Sequence, residues 1–352
     1  MTSQPLSVEA LQAAILADTH LAIRSGGTKS APPNSERTAT IDLSRLKGIV
    51  DYSPDECVFT AFAGTPLAEI DAVLSERSQY LPFDPVLVGS GATLGGTVAS
   101  GLSGSGRYRY GGVRDFVIGI RVIDGAGRLI RSGGKVVKNA AGFLLHHAMV
   151  GSLGRFGVIV DVTCKVFPRP EAQATLRVGC GSLEDAWKAV MRLQMARRDV
   201  EAIDFDADGT LWVRIAGRSQ SLEARLEALG DLLGGEKVSD TVEASLWHDV
   251  QEFAWAPPTG SIVKVAGANL LRIGSTFRSA RYFCGGSCAW LGGTDSSTMA
   301  VLLADAGLRG QVVRGPNAGT FVGQCQPNAF EARVRRVLDP HNRFHAASDS
   351  GR

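Results

Sequence analysis

The sequence lacks a strong charge of either sign and any long hydrophobic run. Its 352 residues carry a net charge of +2, which gives no general attraction to nucleic acid or to a membrane surface. No apolar run approaches the roughly 18 residues of a membrane-spanning helix. The first residues predict an amphipathic helix from about Ser7 rather than a signal peptide. We therefore expect a cytoplasmic protein without a transmembrane segment, attached to the inner membrane only where partner subunits provide the contact.

The cysteines include no Cys-x-x-Cys pair, and the six of them are scattered along the chain. This spacing argues against an iron–sulfur cluster held by this chain alone, because such clusters need grouped thiolates. Scattered thiols are typical of a reducing compartment. Cys284 and Cys288 are four residues apart, but the Gly-Gly-Ser between them favours a turn, so we predict no metal site there.

Histidine is also scarce, with six residues. His146 and His147 are adjacent, so we expect their side chains to diverge and not to share a metal. His341 and His345 have the spacing of a helical chelate, but the surrounding composition favours a solvated chain end. His248 lies on a predicted helix, where we expect it to be exposed or packed against a neighbour. No metal site is predicted.

Glycine is abundant instead, with 42 residues, well above the average of about 7 % of a chain. Glycine-rich turns occur at 24–30 (RSGGTKS), within 89–116, and at 151–160 (GSLGRFGVIV). Because glycine has no Cβ, such turns let backbone N–H groups approach an anion closely, and a diphosphate is the natural ligand. A flexible linker does not account for 89–116, since its apolar positions must be buried.

The glycine turns do not match two common nucleotide motifs. In the first turn Thr28, not glycine, precedes Lys29, so the P-loop pattern is incomplete. In the third turn the glycines are spaced by threes and precede a predicted strand, whereas the Rossmann fingerprint follows one. We therefore predict neither an ATP or GTP site nor a Rossmann NAD site.

Short Val- and Ile-rich runs predict a first half built of strands and turns. Thr65 followed by Pro66 predicts a helix with Thr65 as its N-cap, and Asp124–Gly125 predicts a hairpin. Pro168 and Pro170 mark a boundary. After it, strands and helices mix in a pattern typical of an α+β domain with an antiparallel sheet and helices on one face.

Five segments carry a family resemblance: RSGGTKS (24–30), AGTPLAEI (63–70), ATLGGTVASGLSG (92–104), GGKVVKNAAG (133–142) and GSLGRFGVIV (151–160). In this order they resemble the FAD-binding domain of the vanillyl-alcohol-oxidase-type (PCMH-type) flavoproteins, and most closely the E-subunit family of bacterial glycolate oxidases. The resemblance implies an α+β fold. Residues 1–170 would form a two-part PCMH-type FAD-binding domain, 171–328 an α+β cap that contacts substrate or a subunit, and 329–352 a C-terminal helix and tail.

The resemblance implies FAD as the cofactor. Covalent members carry a histidine in the first turn, where this chain has Thr28, so we expect FAD to be bound non-covalently. Two turns would hold the diphosphate and the backbone of the third would meet the adenine end. The residues implied are Ser25, Gly26, Gly27, Thr28, Lys29, Ser30, Gly91, Ala92, Thr93, Gly95, Gly96, Thr97, Asp115, Gly157, Val158 and Ile159.

The resemblance also implies a function, that of an FAD-dependent oxidoreductase subunit acting on CH–OH groups. The substrate would be glycolate or another small 2-hydroxy acid such as D-lactate. The chain would work beside a second flavoprotein subunit and an iron–sulfur subunit, and electrons would pass from the flavin to the iron–sulfur subunit or a quinone. No nucleic-acid partner is expected.

Catalysis by this chain alone is a separate question. Oxidation of a hydroxy acid needs a group that accepts the hydroxyl proton and a cation that binds the carboxylate. Related D-2-hydroxy-acid dehydrogenases carry a His-x-Gly-Asp-Gly-Asn-type motif in the cap, and this chain has none. The candidate cations are Arg107, Arg109, Arg114, Lys135 and Lys138, with Arg107 and Lys138 as the candidates for a catalytic role. The alternative for Arg107 and Arg109 is a solvated loop charge.

Two departures from the family pattern remove polar groups. Phe143–Leu144 stands where relatives have Tyr-Asp, and the ending LDPHNRFHAAS replaces the usual DP…FNPGR. Two alternatives therefore remain, a non-catalytic assembly subunit with a structural or vestigial flavin site and a stand-alone sugar or cell-wall-precursor oxidoreductase. The loop Arg107–Tyr110 is either a lip over the flavin or a docking loop.

Overall fold

The computed structural model describes residues 2–30, 38–134, 145–267, 270, 273, 276–293, 295–315, 320–324 and 329–344. The chain divides into two compact units. The first takes its described residues from segments 1–103, 112–168 and 326–349, and the second takes them from 104–111 and 169–325. The chain thus changes unit between Pro168 and Arg169, and the C-terminal helix belongs to the first unit.

The strands and helices, in chain order, are β1 (Thr2–Ser3), α1 (Val8–Ala17), β2 (Leu21–Arg24), β3 (Ala39–Asp42), β4 (Ile49–Ser53), β5 (Val58–Phe62), α2 (Leu67–Ser75), β6 (Gln79–Tyr80), α3 (Leu94–Ser100), α4 (Arg107–Tyr110), α5 (Val113–Phe116), β7 (Val117–Ile123), β8 (Leu129–Gly133), α6 (Leu145–Met149), β9 (Val158–Lys165), β10 (Phe167–Pro168), β11 (Ala172–Gly179), α7 (Leu183–Met195), β12 (Ala202–Asp206), β13 (Thr210–Gly217), α8 (Ser219–Leu233), β14 (Glu236–Lys237), α9 (Asp240–Gln251), β15 (Ser261–Ala266), β16 (Ser279–Phe283), β17 (Cys288–Gly293), α10 (Ser296–Asp305), β18 (Arg309–Arg314), β19 (Phe321–Gly323) and α11 (Ala329–Leu338).

The first unit contains two main sheets. A small parallel sheet has the order β1-β3-β2, and an antiparallel sheet of five strands has the order β4-β5-β9-β7-β8. β9 is central and buried along nearly its whole length, and five of its eight residues are apolar. Its one buried acid, Asp161, is bound by the guanidinium of Arg121 on β7, so the buried charge is paired.

The start of α2 differs from the prediction. Thr65 does not cap the helix; Pro66 occupies the N-cap position. The Thr65 hydroxyl accepts a hydrogen bond from the Gly48 amide at 2.9 Å and donates to the Phe62 carbonyl at 2.7 Å. The hydroxyl therefore joins two strand ends instead of the first helical turn.

The hairpin predicted at Asp124–Gly125 is present, joining β7 to β8. Its loop is held by Asp124, whose Oδ1 accepts hydrogen bonds from the amides of Ala126 and Arg128, both at 2.9 Å. Asp124 is fully buried, and this Asx-type turn fixes the register of the two strands.

The second unit is built on an antiparallel sheet of nine strands, in the order β14-β11-β13-β12-β16-β17-β15-β18-β19. Helices α7, α8 and α10 bury apolar residues against one face, which agrees with the predicted arrangement. The other face is also partly covered. The α9 residue Trp247 packs there with Ala202 of β12, and α4 contacts the same strand. None of the helices in the described ranges is both long and apolar enough to span a bilayer.

Asp339 fixes the C-terminal segment to the first unit. Its carboxylate is 1 % exposed and accepts hydrogen bonds from the amides of Arg343 (2.8 Å) and Phe344 (2.9 Å). The Arg343 carbonyl in turn accepts from the Leu21 amide at 2.7 Å, at the start of β2. A buried acceptor that serves two amides is costly to remove, because both donors are left unsatisfied.

We predict that Asp339→Ala lowers the free energy of unfolding by about 1–3 kcal/mol, since it leaves two amides without an acceptor. The measurement is urea unfolding followed by circular dichroism. Glu76→Ala, an exposed change at the end of α2, should stay within about 0.5 kcal/mol of the parent chain. Equal shifts in the two variants would contradict the role given to Asp339.

Candidate functional site

Three glycine turns of the first unit line one cleft of about 370 Å³. The first turn follows β2, the second leads into α3, and the third precedes β9. This volume is within the range of small-molecule sites. The residues that line it are Thr2, Ala22, Ile23, Arg24, Ser25, Gly26, Gly27, Thr28, Lys29, Ser30, Thr40, Asp42, Leu43, Ala63, Thr93, Gly95, Gly96, Ala99, Ser100, Leu153, Gly154, Gly157 and Ile159.

The first and second turns are in main-chain contact. A Cβ at Gly26 would lie 2.2 Å from the carbonyl oxygen of Gly91, so no larger residue fits there without a shift of one turn. Gly27 has a φ of 65°, the left-handed region that favours glycine, and the guanidinium of Arg24 lies against it. The glycines thus bring two stretches of backbone, and one cation, to the same wall of the cleft.

The second turn is set by packing against β5. A Cβ at Gly95 would lie 2.5 Å from the Cβ of Ala63, and the Gly95 amide donates to the Ala63 carbonyl at 2.8 Å. Thr93 is the N-cap of α3 and accepts from the Gly96 amide at 3.3 Å. Because these amides already have acceptors within the chain, this turn offers the ligand a close surface more than a set of unused donors.

The third turn brings β9 to the cleft. Gly154 has a φ of 76°, and a Cβ at Gly157 would lie 2.8 Å from the carbonyl oxygen of Ile123. Along β9 the side chains alternate between faces, so Ile159 reaches the cleft while the preceding Val158 is buried on the other face.

Two buried hydroxyls near the cleft have no hydrogen-bond partner within the described part of the chain, those of Ser25 and Thr97. Ser25 lines the cleft, and Thr97 follows directly after the lining residue Gly96. A buried hydroxyl without a partner is unfavourable, so such a group commonly marks a site that a ligand completes. Ser25 is therefore a candidate donor to a ligand bound in the cleft.

The charged residues of the cleft also suit a diphosphate. Arg24 and Lys29 both line it, and the Lys29 ammonium donates to the hydroxyl of Thr28 at 3.2 Å. Asp42 lies on the same wall. Burial alone would raise the pKa of Asp42, but hydrogen bonds from the Gln4 side chain and the Ser44 amide hold that pKa below its ordinary value. The cleft thus offers cations and a hydroxyl for phosphate, and a carboxylate acceptor for a ribose or base donor.

The residues implied by the family resemblance fall into two groups. Eleven line the cleft: Ser25, Gly26, Gly27, Thr28, Lys29, Ser30, Thr93, Gly95, Gly96, Gly157 and Ile159.

The other five do not line it. The amides of Gly91 and Ala92 donate to main-chain carbonyls at 3.1 and 2.9 Å, and Thr97 and Val158 are fully buried. Asp115 is exposed and accepts from the Gly112 amide at 2.8 Å, which caps α5.

Several lining residues went unassigned in the sequence. Arg24, Asp42, Ser100 and Gly154 all line the cleft. Gly154 lies inside a turn that was singled out, and Asp42 ends a strand next to β2, so their neighbours carried a signal. Ser100 lies inside the segment 92–104 that carries the family resemblance, but its place in the cleft depends on how α3 packs.

The second unit carries its own group of polar side chains, on the face of the sheet away from α7, α8 and α10. Lys264 of β15 lies there, partly buried, with its ammonium 5.9 Å from the ring centre of Trp290. Burial lowers the pKa of Lys264, and nearby Arg107 lowers it further, while Cys288 and Cys284 raise it. Sequence reasoning missed this lysine; the only signal was a charged residue within the apolar run SIVKVA.

The other predicted cations have separate surroundings. Arg107 is exposed and belongs to the second unit, close enough to Lys264 to affect its pKa. Arg109 forms an ion pair with Asp199. Arg114 is exposed on α5 in the first unit. Lys135 and Lys138, like Phe143–Leu144, lie outside the described residues.

The histidines correct one expectation. The side chains of His146 and His147 do not diverge; their ring centres are 4.3 Å apart, because the short helix α6 lets the two rings fold together. The Nδ1 of His146 lies 3.1 Å from the hydroxyl of Ser132, and burial lowers the pKa of His146. His248 is exposed on α9. Within the described ranges no three His, Cys, Asp or Glu side chains are grouped to hold a metal.

A buried charged network holds the loop 104–111 on the second unit. The hydroxyl of Ser105 donates to Asp204 at 2.7 Å, and Arg281 lies 3.1 Å from the same carboxylate oxygen. Burial raises the pKa of Asp204, and Arg281 and Ser105 oppose that rise. Arg281 also stacks over the ring of Trp212 at 4.3 Å. The loop left open in the sequence analysis is thus bonded to β12.

Comparison with known proteins identifies relatives that bind FAD, as the cleft suggests. Residues 3–133 match the family model of the FAD binding domain. The chain is 39 % identical over 245 residues to the glycolate oxidase subunit GlcE of Escherichia coli, covering 70 % of this chain and 67 % of that protein.

The matches to more distant relatives span a smaller share of those proteins. The D-2-hydroxyglutarate dehydrogenase of Xanthomonas citri is 27 % identical over 264 residues, which are 73 % of this chain and 55 % of that protein. The D-lactate dehydrogenase [cytochrome] 1 of Saccharomyces cerevisiae is 26 % identical over 56 % of this chain and 38 % of that protein.

A solved structure shares the fold. Alkyldihydroxyacetonephosphate synthase superposes with a TM-score of 0.70 at 15 % identity, over 97 % of this chain and 76 % of that one. The match to the FAD binding domain includes the first two glycine turns of the cleft, and the residues of the cleft fit a diphosphate, so the cofactor is FAD. The chain therefore belongs to the PCMH-type FAD-binding flavoproteins, a family of FAD-dependent oxidoreductases that includes the glycolate oxidase subunit GlcE.

Proposed function

We propose that this chain is the FAD-binding subunit of a complex that oxidises glycolate or a closely related 2-hydroxy acid. The observation that carries the proposal is a glycine cleft suited to a diphosphate in a chain 39 % identical to a glycolate oxidase subunit. When bound, FAD supplies the two-electron oxidant for the substrate's CH–OH group. The protein supplies binding, orientation and charge.

The cleft holds the cofactor by its diphosphate. Arg24 and Lys29 offset the phosphate charge, and Ser25 donates its hydroxyl, which otherwise has no acceptor among the described residues. Gly26 and Gly96 allow the backbone to approach the ligand. Thr28 cannot form the covalent flavin bond that a histidine forms in some relatives, so FAD is held without one and denaturation should release it intact.

The substrate carboxylate requires a cation, and Lys264 with Arg107 supplies it in this proposal. The two side chains lie close enough for Arg107 to affect the pKa of Lys264. A partly buried cation attracts an anion more strongly than a solvated one, because water screens the pair less. A small 2-hydroxy acid has one carboxylate group, which one or two cations can bind.

Oxidation by this chain alone would also need a group that accepts the proton of the substrate hydroxyl. Between residues 171 and 328 the sequence has one histidine, His248, and it is exposed on α9. This supports the second candidate function, in which the chain is a non-catalytic assembly subunit with a structural flavin site and a partner performs the oxidation.

The names of two relatives support a complex with partner subunits. The chain resembles glycolate oxidase subunit GlcE of Escherichia coli, and it is 28 % identical over 171 residues to glycolate oxidase subunit GlcD of Bacillus subtilis, covering 49 % of this chain and 36 % of that protein. We propose that the partners are a second flavoprotein subunit and an iron–sulfur subunit, and that electrons leave the flavin to the iron–sulfur subunit or a quinone.

Anaerobic addition of glycolate to the FAD-loaded chain tests the function. Loss of the visible flavin absorbance in the isolated chain supports catalysis by this chain. Loss only after the second flavoprotein and iron–sulfur subunits are co-expressed and added supports the assembly role. No loss in either preparation, with glycolate or D-lactate, would contradict the proposed function.

We predict that Ser25→Ala weakens FAD binding by about 10- to 100-fold, as expected for a lost hydrogen bond to a charged group. The apo-chain should be as stable as the parent or more so, because the change removes a buried hydroxyl without a partner. Fluorescence titration with FAD and thermal unfolding measure the two effects. Ser245→Ala, an exposed serine on α9, should alter neither; a loss of stability without loss of affinity would contradict the assignment.

We predict that Lys264→Gln raises the KM for the 2-hydroxy acid while FAD affinity stays unchanged. In the parent complex the KM should rise with pH, because the ammonium loses its charge as pH passes its pKa, and burial sets that pKa below the ordinary lysine value of about 10.4. Steady-state rates across an alkaline pH series measure this. The control is Lys188→Gln, an exposed lysine of α7 paired with Glu184; an unchanged pH profile in Lys264→Gln would contradict the role.

A further inference from the structure

Two thiols meet at the turn between β16 and β17. Cys284 directly follows β16, and Cys288 is the first residue of β17, where its Cα pairs with that of Phe283. The main chain reverses direction between them, and the Ser287 amide donates to the Cys284 carbonyl at 3.4 Å. Cys288 is 7 % exposed and Cys284 is intermediate in exposure. Cys284 is one residue from the position opposite Cys288, and facing Cα atoms of an antiparallel pair lie about 4.5–5.5 Å apart, close to the spacing of disulfide-bonded cysteines.

The turn is held on both sides. The Gly285 amide donates to the Ile203 carbonyl at 3.2 Å, and a Cβ at Gly286 would lie 2.1 Å from the ring of Trp187. Cys284 has a φ of 54°, a conformation in which glycine or asparagine is preferred. Cys284 therefore occupies a backbone conformation that is unfavourable for cysteine, directly before Gly285.

The surroundings favour a thiolate at Cys288. The neighbouring Cys284 thiol lowers the pKa of Cys288; burial opposes this, and Lys264, Arg107 and the Ser287 hydroxyl lower it further. The Cys288 thiol and burial raise the pKa of Cys284. The charged and titratable groups that face the pair are thus Lys264 and Arg107, with Asp204 acting on Cys284. Cys288 is therefore the nucleophile, and Cys284 is the neighbouring thiol that can react with it after oxidation.

We infer that Cys284 and Cys288 form a reversible redox pair, closed to a disulfide by a peroxide and opened by a dithiol. This inference does not depend on the proposed oxidation of a hydroxy acid, because it concerns a different reaction at different atoms.

The steps balance with hydrogen peroxide as the oxidant. The Cys288 thiolate attacks one peroxide oxygen, the O–O bond breaks, and hydroxide leaves while Cys288 becomes a sulfenic acid. The Cys284 sulfur then attacks the Cys288 sulfur, the S–O bond breaks, and the hydroxyl leaves as water with the thiol proton. In sum, two thiols and one peroxide give one disulfide and two waters. A dithiol returns both electrons by thiol–disulfide exchange.

Mass spectrometry of the intact chain after peroxide treatment tests the inference. The chain is reduced, freed of reductant, exposed to hydrogen peroxide, blocked with N-ethylmaleimide and digested with trypsin. Cleavage after Arg281 and Arg309 yields a peptide that contains Cys284 and Cys288 and no other cysteine. We expect this peptide to be unlabelled and lighter by two hydrogen atoms, and dithiothreitol before blocking should restore two labels.

Cys180 is the internal reference, because it is a partly buried thiol of the same unit whose pKa is raised by burial. It should keep its label under these conditions. Persistence of two labels on the Cys284–Cys288 peptide at peroxide doses that consume Cys180 would overturn the inference.

Two single variants separate the roles of the thiols. In Cys284→Ser, Cys288 should stop at the sulfenic acid, which dimedone traps. In Cys288→Ser, Cys284 should keep its label. Lys264→Gln should slow the first step, because loss of the ammonium raises the pKa of Cys288 and so lowers its thiolate fraction. Equal peroxide rates in the two serine variants would overturn the assignment of Cys288 as the nucleophile.

Discussion

Close contact between stretches of main chain is the constraint on which the cofactor cleft depends. A Cβ at Gly64 would lie 1.9 Å from the Leu43 carbonyl oxygen, and one at Gly95 would lie 2.5 Å from the Cβ of Ala63. Gly95 thus seats the second turn on the residue that follows β5, and Gly64 lets the same segment lie against Leu43. Gly26 then rests against the carbonyl of Gly91, which brings the first turn to the same wall. The glycines serve first to let backbones touch, and the cleft is the result.

Most amides of the second turn are hydrogen-bonded within the chain. The donors proposed for a diphosphate are therefore mainly side chains of the first turn, Ser25 and Lys29, with Arg24 beside them. A hydroxyl without a partner is tolerated in the apo-chain because the ligand satisfies it when bound. The Ser25 hydroxyl is thus unfavourable in the apo-chain, and the same hydroxyl contributes to specific binding of the ligand.

In the second unit, neighbouring charged and titratable groups also act on one another. Lys264 and the thiol of Cys288 each shift the pKa of the other, and Arg107 lowers the pKa of both. One cation pair can therefore serve an incoming carboxylate and also favour the thiolate. The buried bond between Ser105 and Asp204 keeps the loop that carries Arg107 on this unit.

Sequence reasoning located the cleft because glycine turns next to strands have a narrow set of physical uses. Gly91 and Ala92 were assigned to it with the rest, yet they do not line it, since their amides are paired within the turn. Local pattern does not tell whether an amide is already paired. Lys264 was not identified from the sequence for another reason. The surroundings of a strand side chain depend on elements distant in sequence, here α4 and the β16–β17 turn.

Amide hydrogen exchange with and without FAD is the most direct test that the glycine turns hold the cofactor. The account predicts that saturating FAD slows exchange in peptides covering 22–30, 93–100 and 153–159, while α7 (Leu183–Met195) exchanges as before. Protection that spares the first of these segments, or no protection at saturating FAD, would contradict it.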